Sequence, residues 1–582
     1  MAKLLAVAAA MIPLVILPGA LFYFDITPKA TLLLVATAVA LPVFATSARD
    51  GLTILFALQL LSLCLSTALS AHPRLSLEGS TWRSFGLLTH AAVLLFCWML
   101  ARAAASDPSP RRWLLRAVTL SGCLIAAYGI AQYLGWDPWL PKAAYRVGEG
   151  EWSIVRPPAT LGHAGYSATW LLVVLFFSAG LFGEERGRAW RWTAAAGVVL
   201  CGIAIVLSGT RAGLVGIAAG GIVLLARGWR PRRTVVAACV LAAAAFVASP
   251  WGQGLRSRAR WSAEDLLGGA RLMLWRDAAR MGFERPLAGW GPETFWTEFP
   301  RRQSRELARA YPDFAYESPH NLFVEAWVTQ GLPGLLILGA LCGLALFAAR
   351  QDRGPAGPVL VAMLASLQFT SLMIPTAMGL YLAIALLLSP RKPDPQTRLW
   401  TTPIAGVAIA IVLAAHGIRL LAADRALFDV RRHLDGGRLE EGVRAYDRRA
   451  GWSRAPDLWF SRRLAEAGRT SGQALAGAQA FEHAFQAARR ATESAEDRHN
   501  AWYNLATFCA LRNDAVCVEQ SLRETIAWAP NWFKPHWTLA QVLLIGGRTG
   551  EAEREAALAV ELNGARNKEV SETLEMIRRK GK

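Results

Sequence analysis

The sequence predicts an all-α protein: a polytopic transmembrane helical bundle of about twelve to thirteen spans, a large extracytoplasmic loop and a C-terminal α-helical repeat domain. Three observations carry that prediction. The chain has 582 residues, of which 54% are hydrophobic and 23 are Trp, which is too apolar for one soluble domain and long enough for a multi-helix core plus a second domain. Apolar runs long enough to cross a bilayer, about 17 to 25 residues each, recur through residues 1–421. From residue 422 onward Ala, Leu and charge alternate at helical spacing instead.

The candidate spans lie near 4–24, 30–46, 52–71, 84–104, 113–135, 166–183, 192–209, 212–227, 234–250 and 322–348, with further ones near 358–374, 376–390 and 403–421. The first begins at Lys3 like a signal peptide, but its apolar run is long and more spans follow at once, which favours a retained helix. Residues 358–390 are read as two short spans. A single helix of that length would be about 46 Å long, well beyond a ~30 Å hydrocarbon core, and Pro375 interrupts it.

Lys and Arg in the short loops set the orientation. With the N-terminus in the cytoplasm, Arg102, Arg111 and Arg112, then Arg186, Arg188 and Arg191, then Arg227, Arg230, Arg232 and Arg233, then Arg350 and Arg353, and finally Arg391, Lys392 and Arg398 all fall on the cytoplasmic side. Much of the formal net charge of +19 is therefore a topology signal, and no nucleic acid or acidic partner is needed to explain it. The same topology puts 136–165, Arg211, 251–320 and the C-terminal tail outside. A multi-pass membrane protein with the loop and tail on the extracytoplasmic side is the expected arrangement.

Segment 251–320 holds eleven Arg and nine Asp or Glu, so it is not a simple basic tail. A loop of this length without structure is unusual, and helices are expected near 271–283 and 303–311. Trp251, Trp261, Trp275, Trp290 and Trp296 suit a lid lying in the interface, where indole rings are favoured.

His320, in Glu317-Ser318-Pro319-His320-Asn321-Leu322-Phe323-Val324-Glu325, stands where this segment enters a new apolar helix. An imidazole there is placed to act as a base on a polar group carried by a lipid. Arg211 lies in Leu207-Ser208-Gly209-Thr210-Arg211-Ala212-Gly213, and Arg271 in Gly268-Gly269-Ala270-Arg271-Leu272-Met273-Leu274-Trp275. Pro286-Leu287-Ala288-Gly289-Trp290-Gly291-Pro292-Glu293-Thr294-Phe295 and Gln330-Gly331-Leu332-Pro333-Gly334-Leu335 complete the set. Taken in order, these segments resemble the O-antigen ligase and Wzy polymerase superfamily of bacterial membrane glycosyltransferases, over roughly residues 150 to 350.

That resemblance implies a GT-C type enzyme that transfers a glycan from an undecaprenyl-diphosphate carrier to an acceptor hydroxyl, without metal or cofactor. His320 would be the base. Arg211 and Arg271 would hold the diphosphate, since planar guanidinium forks bind phosphate oxygens bidentately and keep their charge. Gly209 and Gly213 beside Arg211 would let the phosphate approach the backbone. Arg156 and His163, in Val155-Arg156-Pro157-Pro158-Ala159-Thr160-Leu161-Gly162-His163, match an earlier family segment, although His163 stands where members often have Asn. Arg276 and Asn321 complete the expected substrate contacts, Arg276 also being suited to a surface or acidic-lipid contact. The acceptor stays open between lipid A core, a growing polymer as in Wzy-type polymerases, and protein as in O-oligosaccharyltransferases. A transporter or flippase is disfavoured, because few charged residues fall inside the spans.

In the tail, Trp502-Tyr503-Asn504-Leu505-Ala506 recurs 34 residues later as His536-Trp537-Thr538-Leu539-Ala540, a period that resembles tetratricopeptide repeats, with a degenerate unit near 456–465. Such a domain, 422–582 behind a membrane domain of 1–421, is expected to bind a protein partner. Cys509 and Cys517 are placed either to pair or to stay buried thiols. The remaining cysteines lack metal-ligand spacing, and His90 and His416 read as packing residues inside spans.

Overall fold

The computed structural model describes residues 1–44, 50–106, 108–147, 154–229, 234, 241, 244–264, 269–389, 403–449, 456–470 and 474–580. These are helical apart from loops and one antiparallel hairpin, Arg146–Val147 with Ile154–Val155. Seven helices are long and apolar enough to cross a membrane: Gly51–Ala68, Leu87–Ala105, Ser109–Tyr133, Ala164–Glu184, Arg188–Leu207, Leu322–Ala349 and Ile404–Asp435. Five shorter apolar helices join them: Ala2–Leu14, Thr27–Val43, Arg211–Ala226, Ala356–Ser366 and Ile374–Leu388. The chain is an integral membrane protein. About half of the expected span at 234–250, and all of Arg391, Lys392 and Arg398, lie outside the described residues.

Small residues bring these helices together. A side chain at Gly213 would meet Ala168 and Ile205, at Gly216 Leu172, and at Gly220 Phe176, so Arg211–Ala226 packs closely along Ala164–Glu184. Both partners advance together along the contact, so the two helices run parallel and start on one membrane face. Gly213, expected to admit a phosphate, is instead filled by this packing. Ala356–Ser366 runs the other way: Gly357 meets Arg227, and Gly216 meets the Ala362 carbonyl. It therefore delivers residues 366–371 to the face where Arg211 and His163 begin their helices.

The region 358–390 does form two helices, but the break spans Leu367–Met373 and precedes Pro375, which occupies the first turn of Ile374–Leu388. Proline is tolerated there because the first-turn N–H has no helical partner to lose. Leu322–Ala349 is also two helices in effect, kinked at Gly331 (φ 67, ψ −164). The kink frees backbone groups that apolar surroundings would leave unsatisfied. The extramembrane lid takes them: Trp290 N donates to Val328 O (2.9 Å), Gly291 N to Thr329 O (3.0 Å), and Leu332 N to Pro286 O (2.7 Å).

The lid contains the expected helices as Arg271–Glu284 and Arg305–Ala310, and adds Gln253–Glu264 and Phe295–Glu298. It has its own core of Leu274, Met281, Trp290, Phe295, Phe299 and Leu307. Two of the five tryptophans named above bond within the protein. Trp290 is buried, donates to Met281 O (2.9 Å) and is stacked by Arg302, while Trp275 donates to Pro319 O (2.9 Å).

One helix, Pro403–Asp435, carries the chain from the bundle into helix pairs that include Arg498–Leu511 with Ala515–Trp528 and Phe533–Ile545 with Thr549–Asn563. The repeating Leu505-Ala506 and Leu539-Ala540 are buried in one core. Cys509 and Cys517 are disulfide-bonded. This domain lies on the lid. Ala308 is buried with Phe533, Leu562 and Val570, Asn531 donates to Gln303 O (2.6 Å), and Arg301 stacks on Trp528. Glu496 accepts from Thr81 N (2.8 Å), and its carbonyl from Thr297 (2.7 Å). The tail and the lid thus share one face, as the charge pattern anticipates.

Candidate functional site

Four of the sequence-predicted residues converge where the lid meets the bundle. Arg156 follows the hairpin, His163 caps Ala164–Glu184, Arg271 opens the lid helix, and His320 immediately precedes the Asn321 cap of Leu322–Ala349. Their charges act on one another. Arg271 and Arg83 lower the His320 pKa, Arg156 and His320 lower that of His163, and Arg271 lowers that of Arg156.

His320 adopts a left-handed backbone (φ 50). That conformation costs a bulky residue about 1 to 3 kcal/mol and persists only where surrounding contacts impose it. Those contacts are present. Trp275 binds the carbonyl of Pro319, and Leu322 N donates to Leu367 O (2.9 Å). The His320 N–H donates to Ser318 Oγ (3.2 Å), and Nδ1 lies 2.9 Å from Ser371 Oγ. Nε2 lies 3.9 Å from Glu317 and keeps an opening to solvent. Desolvation first, then Arg271 and Arg83, push the imidazole pKa down to about 4. His320 is therefore neutral at pH 7 and able to accept a proton. Burial raises the Glu317 carboxyl.

His163 differs in a way that fixes its chemistry. Its Nδ1 accepts from the Gly165 backbone N–H (3.1 Å), so a neutral ring must carry its proton on Nε2. The ring sits in a crowded recess open to solvent, and desolvation followed by Arg156 and His320 lowers its pKa. It is a hydrogen-bond donor.

Arg156 has its Nε buried without a hydrogen-bond partner, and no acidic partner is seen for it among the described residues. The Arg271 guanidinium stands 5.8 Å over the Phe369 ring. Two arginines close enough to act on each other are suited to an anion, since desolvated cations gain most from a ligand of opposite charge. Arg211 starts its helix on the same face. The other two expected contacts are engaged elsewhere. Arg276 is held by Glu306 (2.6 Å), Ser304 (3.0 Å) and Asp277 (3.2 Å), bracing the lid. Asn321 caps its helix, accepting from Phe323 N and Val324 N (both 3.1 Å) and donating to Gln368.

Sequence reasoning missed the group beneath them. Arg83, almost wholly buried, donates through Nε to Glu293 (2.8 Å) and through one amino group to Glu293 (2.6 Å) and Glu325 (2.5 Å). Burial opposes its charge, and the two carboxylates outweigh burial and raise its pKa. The triad ties the 79–86 loop, the lid and Leu322–Ala349 together. Two signals were present: a charged residue at the mouth of an apolar span, and Glu325 one turn inside another.

Comparison with known proteins gives these residues a context. A Haemophilus influenzae protein, described only as an uncharacterized protein, is 26% identical over 157 residues, covering 24% of this chain. The match spans 39% of that relative's own length. Yeast Tom70 (TM-score 0.20, 11% identity, covering 72% of this chain and 91% of Tom70) and the Cut9-Hcn1 tetramer of the APC/C (TM-score 0.19, 11% identity, covering 84% and 91%) align at a level that carries no structural argument. The O-antigen ligase family model matches residues 196–339, a stretch that holds Arg211, the lid with Arg271, the Arg83 partners Glu293 and Glu325, and His320. Through that stretch of bundle and lid, residues 196–339 of this chain are similar to the O-antigen ligase family.

Proposed function

We propose that the protein moves a glycan from an undecaprenyl-diphosphate carrier to an acceptor hydroxyl at the periplasmic face of a bacterial inner membrane. The observation that carries this reading is one recess lined by two arginines and a neutral imidazole, at the face where the bundle meets its lid. Arg156 and Arg271, with Arg211 at the rim, hold the diphosphate. His163 donates its Nε2–H to the bound donor. His320 takes the acceptor proton as the acceptor oxygen bonds to the anomeric carbon. The carbon–oxygen bond to phosphate breaks, its electron pair leaves with the diphosphate, and the configuration inverts. Stabilising that departing charge is the arginines' main contribution.

The bound donor also tunes the base. Arg271 and Arg83 hold the His320 pKa low in the empty site. Negative phosphates offset those charges and bring the imidazole nearer the operating pH, where a general base works best. No step is assigned to a metal. Lipid A core, a growing polymer and protein remain alternative acceptors, and membrane lipids surround the site.

The test uses membranes supplied with a labelled polyprenyl-diphosphate oligosaccharide, following release of the carrier diphosphate. His320→Ala is expected to lower turnover strongly with donor binding largely kept. Arg271→Ala and Arg156→Ala weaken both, and Lys restores only part because an ammonium lacks the bidentate fork. Near-normal transfer by folded His320→Ala protein rules out the base.

A further inference from the structure

His320 is held from behind by two hydroxyls that the reaction above leaves without a task. Ser371 comes from the break between Ala356–Ser366 and Ile374–Leu388, and Ser318 from the strained turn itself; both are buried. We propose that Ser371, backed by Ser318, is a positioning residue that holds the His320 ring through Nδ1 and leaves Nε2 as the atom that meets the acceptor hydroxyl. This rests on the reading of His320 as the base.

The hydrogen-bond inventory supports that orientation. Ser318 Oγ accepts from the His320 backbone N–H at 3.2 Å, lies 3.3 Å from Nδ1, and is hydrogen-bonded to the Ser371 hydroxyl, in which either oxygen can donate. A hydroxyl oxygen has two lone pairs, so Ser371 can donate to or accept from Ser318 and still accept a further proton, with the Tyr166 side chain beside it. Ser371 Oγ then has a lone pair left for Nδ1–H at 2.9 Å. A ring protonated on Nδ1 carries its lone pair on Nε2, the nitrogen on the Glu317 side. His163 carries the opposite tautomer, set by the Gly165 backbone. The two imidazoles of one recess are thus assigned opposite tasks by the partners of their Nδ1 atoms.

Serine, unlike a carboxylate, orients the ring without adding charge. The basicity of His320 is left to the ionisable groups that face it: Arg271 from the lid helix, Arg83 from the 79–86 loop, His163 from the hairpin side, and Glu317 on its own turn. A bound diphosphate can reset that balance, whereas a fixed buried carboxylate would dominate it.

The experiment measures carrier-diphosphate release from a labelled polyprenyl-diphosphate oligosaccharide by wild type, Ser371→Ala, Ser371→Thr, His320→Ala and the Ser371→Ala/His320→Ala pair. Loss of an orienting partner typically costs on the order of 10- to 100-fold in activity. Ser371→Ala is expected to lower kcat by that amount with donor KM changed less than about twofold, and Ser371→Thr, which keeps the hydroxyl, to recover most of it. In the His320→Ala background the serine substitution has no further effect, because a positioning residue acts only through the ring it holds. Wild-type kcat in Ser371→Ala, a loss confined to donor KM, or no recovery with Thr overturns the proposal, provided the variant elutes and melts as wild type. If Ser371→Ala melts early, Ser318→Ala decides: it must lower kcat in the same direction with KM kept, and a normal kcat overturns the proposal. An active His320→Ala protein defeats the base itself, whereas inactive His320→Ala beside fully active Ser371→Ala defeats only this inference.

Discussion

Replacing Arg83 by Met leaves Glu293 and Glu325 facing each other in a site that is almost closed to solvent. Arg83 supplies each carboxylate with its cation at 2.5 to 2.8 Å, and Glu293 itself is 2% exposed at its side chain. Ser80 still donates to Glu293 through its backbone and hydroxyl, so the carboxylate keeps hydrogen bonds but loses its counter-charge. Removing one partner of a buried ionic group costs about 3 to 5 kcal/mol, far more than the net worth of the intact group, because the remaining charge stays desolvated. Met fills the volume, so a cavity contributes little. The expected result is a large loss of thermal stability in detergent, read by the temperature at which transfer activity is lost irreversibly.

Proton linkage supplies an internal control. Without a counter-charge, desolvation favours the protonated form of a buried carboxylate. A carboxylate whose folded pKa is raised is least destabilising below the unfolded pKa, and its penalty grows as pH rises through the folded one. The gap to wild type must therefore be narrower at pH 5 than at pH 8. Arg83→Met/Glu293→Gln, with one charge fewer, must recover part of the loss at pH 8. A single variant as stable as wild type at pH 8, or a gap that does not change with pH, refutes the reasoning.

Two further outcomes follow from the same geometry. Ala308→Glu puts a carboxylate among Phe533, Leu562 and Val570, where an unpaired charge is not tolerated; transfer should fall and trypsin should cut the lid at Arg301, Arg302 or Arg305 faster than in wild type, and unchanged cleavage with full activity would show that the repeat domain does not hold the lid. The acid limb of kcat/KM, which reports the free protein, should lie near the depressed His320 value of about 4, and the limb of kcat, which reports the donor complex, at higher pH; coincident limbs would mean that bound phosphate does not tune the base.

The apolar runs and the Arg bias determined where helices form and which ends share a face, because a bilayer leaves a chain few ways to satisfy its backbone. Twelve of the expected spans appear as apolar helices for that reason. The convergence of Arg156, His163, Arg271 and His320 was legible from motif order. His163 and His320 stand at the starts of apolar helices, with Arg156 and Arg271 in the extramembrane segments beside them, and segments on one side of a membrane have little room to separate. The repeat domain was legible from its 34-residue period, since a repeating unit must bury the same positions, here Leu505 and Leu539, in one core.

What the tertiary structure decided is pairing. Arg83 and Glu293 are 210 residues apart, and nothing local to either predicts the other. Ser371 reaches His320 only because the break between two helices falls at 367–373, before the proline that the sequence marks as the interruption. Arg276 and Asn321 carry the right chemistry for a substrate, yet a neighbouring Glu306 and two helix N–H groups claim them first. The expected partner surface of the repeats is in part filled by the chain's own lid. Hydrophobicity and charge are properties of single positions and survive in a linear reading, so the apolar helices, the orientation signal and the region of the candidate site could be read from them. Hydrogen-bond partners and counter-charges are properties of pairs brought together by packing, and only the folded chain specifies them.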